Sequence, residues 1–286
     1  MALSILKSAS SRVGGALRRH AGLWLGLVMV GVVIACAIFA SLIAPYPENK
    51  MDIFNNLAPP SAQHLLGTDN FGRDIVSQLI FGSRISLEVG FSSVILTGVI
   101  GTTLGLLAGY FGGVLDMVVM RVSDIVLSFP LILLALALVG ALGPSAQNVV
   151  IALALGYWTS YARLVRATVL SVKEELFVEA ARALGVGHGR IMVRHLLPNI
   201  VGPIMVLSTL GVGAAIVAEA SLDFLGLGVQ PSTASWGLMT ADGLRYLSQD
   251  SNLSTFAGIA IMWTVLGFNL VGDGLTDYLN PRIARH

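Results

Sequence analysis

The residues with chemical potential in this chain are few and unevenly placed. Three carboxylates, Glu88, Asp124 and Glu219, stand in or at the edges of long apolar runs. Ionisable groups at membrane depth are costly and are kept where they bind charge, relay protons or pair with one another. Each is therefore a candidate for lining a translocation path, in which a peptide ammonium or a cationic chelate would meet a carboxylate. Asp124 has a local alternative: Arg121 precedes it by one helical turn, and the two can pair on one helix face. His188 and His195 have no Cys or paired carboxylates near them in ligand spacing, which argues against a zinc or nickel site. Cys36, the single cysteine, lies in an apolar run, so neither an internal disulfide nor a metal centre is expected. No Gly-x4-Gly-Lys-Ser/Thr stretch occurs, so P-loop nucleotide hydrolysis must come from another polypeptide. The glycine-rich "GVGHGR" and "GLGVQP" do not lie between a strand and a helix. No cofactor or metal is expected on this chain.

These residues need a scaffold, and composition says which kind. The 286 residues are 55% apolar and only 12% charged, with a mean hydropathy of +0.81. That is too little polar surface for a water-soluble globule, and a net charge of +1 gives no basis for nucleic-acid binding. Apolar segments at 23–44, 85–107, 117–142, 149–170, 200–220 and 256–271 predict six transmembrane helices in an all-α protein. The first run exceeds the roughly 7–15 apolar residues of a cleaved signal and matches the ~20 that span a bilayer, so it is read as an uncleaved span after an N-terminal segment 1–22. A polar loop 45–84 separates it from a core, 85–286, which contains a polar segment at 171–199 and a second loop at 221–255.

Basic residues accumulate on the cytoplasmic side of membrane proteins. In the six-span arrangement one side holds Lys7, Arg12, Arg18, Arg19, Arg121, Arg163, Arg166, Lys173, Arg182, Arg190, Arg194, Arg282 and Arg285, and the other only Lys50, Arg73, Arg84 and Arg245. Both termini and 171–199 are thus predicted cytoplasmic, with loops 45–84 and 221–255 outside. Gly101, Gly105 and Gly109, spaced four apart, predict close approach of another helix backbone.

The 171–199 segment interrupts this apolar chain with soluble-looking helix. Ser171 and Glu174 fit a capping box. Val172, Leu176, Ala180 and Leu184 recur along one stripe, and Glu175, Glu179 and Arg182 along another. Gly185 suits a left-handed C-terminal cap, and a second helix is expected from about Arg190 to Leu197, ending at Pro198. Membrane-surface helices carry basic polar faces and bulky apolar ones. Here the polar face mixes signs and the centre is alanine, which suits a protein groove better than a lipid surface.

"EAARALG" at 179–185, followed by "HLLP" at 195–198, resembles the EAA loop, Glu-Ala-Ala-x3-Gly-x9-Ile-x-Leu-Pro, of the membrane subunits of bacterial ATP-binding-cassette importers. Glu179, Ala180, Ala181, Gly185, Leu197 and Pro198 match; His195 replaces isoleucine, as is common in the dipeptide, oligopeptide and nickel branch. "HLLGTDNFGRDIVSQLIFGSRISL", "GYFGG", "DMVVMRVSDIVLSFP", "FLGLGVQPSTASWG" and "LGFNLVGDGLTDYLNPR" resemble segments of the second permease subunit of that branch. The resemblance implies a type I importer permease in the bacterial inner membrane. Its partners would be a related permease, two cytoplasmic ATPases that hold ATP and Mg, an external substrate-binding protein and membrane lipid. It further implies that 171–199 forms the coupling helix seated in an ATPase cleft, with Glu179, Ala180, Ala181, Arg182, Gly185, Leu197 and Pro198 as its coupling residues. Peptides are the expected cargo, with a nickel chelate or another small solute as the alternative. From a different class, an ion-coupled secondary transporter would use Glu88, Asp124 or Glu219 as a proton relay, and a membrane scaffold would move no cargo. Asp223 departs from the "SFLGLG" form usual in the outer loop. His64 is expected to be structural, and Trp236 to be an interface anchor or a protein contact.

Overall fold

The computed structural model describes residues 21–230, 233–249 and 251–279. Lys7, Arg12, Arg18 and Arg19 of the expected N-terminal segment lie outside that range, as do Arg282 and Arg285. The described residues are helical apart from loops and one isolated bridge. In order they form α1 (Ala21–Ile43), α2 (Ile75–Phe111), α3 (Gly113–Leu127), α4 (Leu131–Leu142), α5 (Ala146–Val172), α6 (Leu176–Ala183), α7 (His188–Ile191), α8 (Leu197–Phe224), α9 (Trp236–Arg245) and α10 (Asn252–Leu279). Four runs are long and apolar enough to cross a membrane: α1, α2, the stretch His188–Phe224 that ends in α8, and α10. Exposed side chains such as Ile38, Leu42, Ile95, Val99 and Met262 give these helices the bare apolar faces that hydrocarbon accepts.

The expected span 117–142 is not one helix. It divides into α3 and α4, which meet at 90°. Pro130 is the cause: its ring excludes the carbonyl four residues back, and it has no amide hydrogen to donate. The Val126 carbonyl, which Pro130 cannot serve, accepts from the Phe129 amide at 3.3 Å, and the Ser128 hydroxyl donates to the Asp124 carbonyl at 2.8 Å beside its own amide. Counting the bent pair as one span gives a fifth crossing. α5 is 27 residues long but carries Arg163 and Arg166, and much of it is enclosed, with Leu153, Tyr161 and Val165 buried.

α2 begins ten residues before the expected 85–107 span. Its polar first turns escape the cost of lipid because Ser77 and Gln78 are buried under the 45–74 loop, and Asp74 caps the helix by accepting from the Ser77 amide at 2.8 Å. Arg84 fastens this part of α2 to α1, donating to the Ala37 carbonyl at 2.7 Å. Along the rest of α2 the small-residue stripe does what its spacing predicts. A Cβ on Gly101 would lie 2.5 Å from the Trp158 carbonyl oxygen, and one on Gly105 2.4 Å from that of Ala162, so α2 and α5 touch backbone to backbone.

At the end of the bundle that holds residues 45–74, the loop is built around buried charge. Arg73 donates through Nε to Asp69 at 2.6 Å, and His64 Nδ1 lies 3.0 Å from Asp74 Oδ1, a structural role as expected. Trp236 is neither an interface anchor nor a bare contact surface. It is buried, its Nε1 donating to the Leu79 carbonyl at 2.9 Å, because Gly82 leaves room for its ring against α2. Asp223, the residue that departs from the family pattern, organises the second loop: it accepts from the Val229 amide at 2.7 Å and from the Ser235 hydroxyl at the start of α9. Asp223→Ala leaves both donors unpartnered in a buried place. We expect the substitution to cost about 1–3 kcal/mol, read as a lower Tm of purified protein in detergent; an unchanged Tm would mean these bonds do not hold the loop.

Candidate coupling site

The 171–199 segment sits at the opposite end of the bundle, and its local structure differs from the sequence reading at both boundaries. Ser171 starts no helix, since α5 continues through it to Val172 and α6 takes Glu175 as its N-cap. The capping-box pattern was outweighed by the packing of Val165 and Val169, which holds α5 helical into its last turn. Pro198 ends no helix either. It occupies the first turn of α8, where a missing amide hydrogen is no loss. A π-helical turn over Met192–Leu196 leads into it from α7, and the Asn199 side-chain amide donates to the His195 carbonyl at 2.6 Å. Proline starts and proline stops look alike in sequence.

Gly185 behaves as its position predicts. With φ +74° it closes α6 in a Schellman arrangement, its amide donating to the Arg182 carbonyl at 2.9 Å and that of Val186 to the Ala181 carbonyl at 3.0 Å.

The seating of α6 separates the Glu-Ala-Ala triplet. Val178 and Ala181, 0% and 5% exposed, pack inward against Tyr110, Val169, Ile191 and Leu196. Ala181 therefore packs within this chain and is not placed to receive a partner. Glu179 and Ala180 face outward. So does the apolar stripe around them, with Leu176 81% and Leu184 83% exposed. Arg182 is exposed, but its guanidinium carbon also lies 5.6 Å from the Tyr110 ring centroid. The result is a short helix pinned by one narrow face, presenting leucine, alanine and a carboxylate to whatever lies beyond.

The three intramembrane candidates do not come together. Glu88 is exposed on α2. Glu219 is fully enclosed near the end of α8, one turn from Asp223, with Ser86 Oγ at 3.4 Å. Asp124 does not pair with Arg121: Arg163 of α5 donates to it at 2.6 Å. A second ion pair runs beside this one, Arg166 holding both oxygens of Asp116, the Nη2 bond at 2.6 Å. Arg166–Asp116 is a forked pair, whereas Arg163 makes one bond to Asp124 and donates through Nε to the neighbouring Ser123 hydroxyl at 3.3 Å. Asp116 is absent from the residues expected from sequence, because its partner Arg166 lies fifty residues away and no local spacing links the two.

A large open groove runs between α2, α8 and α10. It encloses about 710 Å³ and is lined almost wholly by apolar groups, among them Phe91, Ile95, Met205, Val212 and Phe268, with the hydroxyls of Thr102, Thr103, Ser208 and Thr209 the polar groups in the lining.

Residues 101–285 match the family described as the inner membrane component of binding-protein-dependent transport systems, and residues 11–60 match the N-terminal transmembrane domain of oligopeptide transport permease C. The chain belongs to this family of importer permeases. It is 46% identical over 258 residues to the dipeptide transport system permease protein DppC of Alkalihalophilus pseudofirmus, covering 90% of this chain and 85% of that one. It is 42% identical to the glutathione transport system permease protein GsiD of Pectobacterium atrosepticum, over 93% of this chain and 89% of the relative. Identity to a putative peptide transport system permease of Brucella abortus is 40%, over 93% and 90% of the two chains. Among solved structures, the MetNI methionine ABC transporter in an inward-facing form has a chain with the same fold, at a TM-score of 0.58 and 20% identity, covering 71% of this permease and 96% of that chain. The protein is accordingly a multi-pass inner-membrane permease subunit of an ABC importer of the dipeptide and oligopeptide family. The ion-coupled and scaffold alternatives fall away with that membership.

Proposed function

We propose that this permease forms one half of a peptide translocation path and couples it to separate ATPase subunits through α6. The observation that carries the coupling role is the outward stripe of Leu176, Ala180 and Leu184 around Glu179. Apolar side chains this exposed on a helix outside the bilayer are unfavourable in water and favourable in a groove. Glu179 offers that groove a charge, and Ala180 lets a partner backbone approach. Gly185, Leu197 and Pro198 set the turn and the helix start that fix α6 relative to α8. ATP and Mg are held by the ATPase pair, a related permease completes the path, and an external binding protein delivers cargo. A tagged chain should bring down an ATPase on purification, and failure to do so would count against the assignment.

Six crossings fit this role, the bent α3–α4 pair and α5 supplementing the four apolar runs. The paired Asp116 and Asp124 shield the α5 arginines, and both termini and α6 lie in the cytoplasm as the basic residues require. The path is the groove between α2, α8 and α10. Glu88 stands one turn beyond Phe91 on the stripe that continues through Ile95 and Gly98, so it guards the outer mouth, whereas Asp124 and the enclosed Glu219 brace helices. Glu88→Gln should slow uptake of peptides with a free amino terminus about two- to fivefold and leave N-acetylated peptides untouched; equal effects on both would remove Glu88 from the path. The relatives named for dipeptide, glutathione and peptide transport support di- or oligopeptides as cargo over a nickel chelate. Identifying the ligand retained by the partner binding protein tests that choice.

A further inference from the structure

Tyr110 of the "GYFGG" stretch, against which α6 packs, also meets His188. Tyr110 Oη lies 2.8 Å from His188 Nδ1. The two rings stand edge to face with centroids 5.6 Å apart, and Phe111 closes on the same histidine at 6.0 Å. Tyr110 belongs to the last turn of α2, whereas His188 opens α7 on the far side of the Gly185 turn. Two further ties join the same places: Lys173 Nζ donates to the Gly109 carbonyl at 3.1 Å, and Arg182 covers the Tyr110 ring. Directly after Phe111 the chain turns into α3 through Gly112 and Gly113, both in the left-handed region at φ +66° and +57°. Among the described residues, the two other polar ties between this segment and α2 are made by flexible cations, Lys173 and Arg182. The Tyr110–His188 pair, by contrast, is a directional bond between two semi-rigid rings.

We infer that the Tyr110–His188 hydrogen bond is the clip through which displacement of α6 is delivered to α2. Tyr110 and His188 are thus positioning residues for ATP-driven transport. The inference rests on the coupling role proposed for α6 and adds where the movement goes. A push on α6 reaches the bundle through Val178 and Ala181, which are apolar and can slide; the clip resists sliding because a hydrogen bond weakens steeply with misalignment.

The test uses the complete transporter in proteoliposomes, with cargo uptake and ATP hydrolysis measured together. Tyr110→Phe keeps the ring, its stacking and the Arg182 contact while removing the hydroxyl. We expect copurification of the ATPase to be retained and cargo moved per ATP to fall about two- to tenfold, the range of one hydrogen bond. His188→Ala should match it, the double variant should be no worse than either single one, and His188→Asn, which keeps a polar group near the Nδ1 position, should restore much of the ratio. If Ala180→Trp lowers the ratio while Tyr110→Phe leaves it unchanged, the clip is wrong and the coupling role stands. If neither changes it, both are wrong. Additive losses in the double variant would also overturn the clip, since independent structural damage adds and one shared bond does not.

Discussion

Glu179→Arg is expected to abolish most ATP-driven uptake, by on the order of a hundredfold, while leaving the permease folded and in the membrane. Its carboxylate is exposed on α6 and makes no contact on which the bundle depends, so the fold has no stake in its sign. A partner groove shaped for a carboxylate does: juxtaposing like charges at an interface costs several kcal/mol and weakens encounter as well as binding. The measurement is twofold. Uptake into right-side-out or reconstituted vesicles should collapse, and less ATPase should copurify with the tagged variant. Unchanged uptake would show that Glu179 does not face the ATPase, and the coupling role of α6 would have to be abandoned.

Gly105→Leu should have the largest effect on the fold itself. A Cβ at this position would meet the Ala162 carbonyl oxygen at 2.4 Å and the Ala162 Cα at 2.9 Å. Both are backbone atoms, so no rotamer change relieves the clash and α2 must separate from α5. Overpacking of a tight interior costs about 1–3 kcal/mol where side chains can yield, and here the backbone must move instead. Gly105→Ala should fall within that range and Gly105→Leu beyond it, seen as loss of monodisperse protein in detergent or a sharply lower Tm. Gly140→Ala is the control, since a Cβ there meets nothing within 4 Å. Equal behaviour at both positions would deny the close α2–α5 contact.

The features legible in the sequence share a cause, and so do those that were not. Apolar run lengths located helices, and the four-residue glycine spacing located a backbone-to-backbone helix contact, because both follow from helical geometry alone. Gly185 was legible because the left-handed conformation leaves few other residues to choose. The break at Pro130 was hidden inside a run whose two halves are equally apolar, so composition carried no trace of the 90° bend. The early start of α2 was hidden for the opposite reason: Ser77 and Gln78 read as loop, and only the folded 45–74 segment hides them from lipid. Asp124 was assigned to a neighbour three residues away when its partner lies thirty-nine away, a pairing that no local pattern can announce. In the 171–199 segment the outward stripe was legible, whereas the inward turn of Ala181 depends on Tyr110, far back in the chain, and on Ile191 beyond the Gly185 turn.

Helix α2 has 37 residues, so at 1.5 Å per residue it measures about 55 Å, well beyond the ~30 Å of a hydrocarbon core. One unbroken rod thus reaches from the loop braced by Asp74 to the corner where Tyr110 meets His188. A tilt of only about 5° about one end would sweep the other through roughly 5 Å, given that length. Gearing of this kind needs no relay of small rearrangements through the interior: a modest angular displacement at the α6 end becomes a stroke the width of a peptide backbone at the other face.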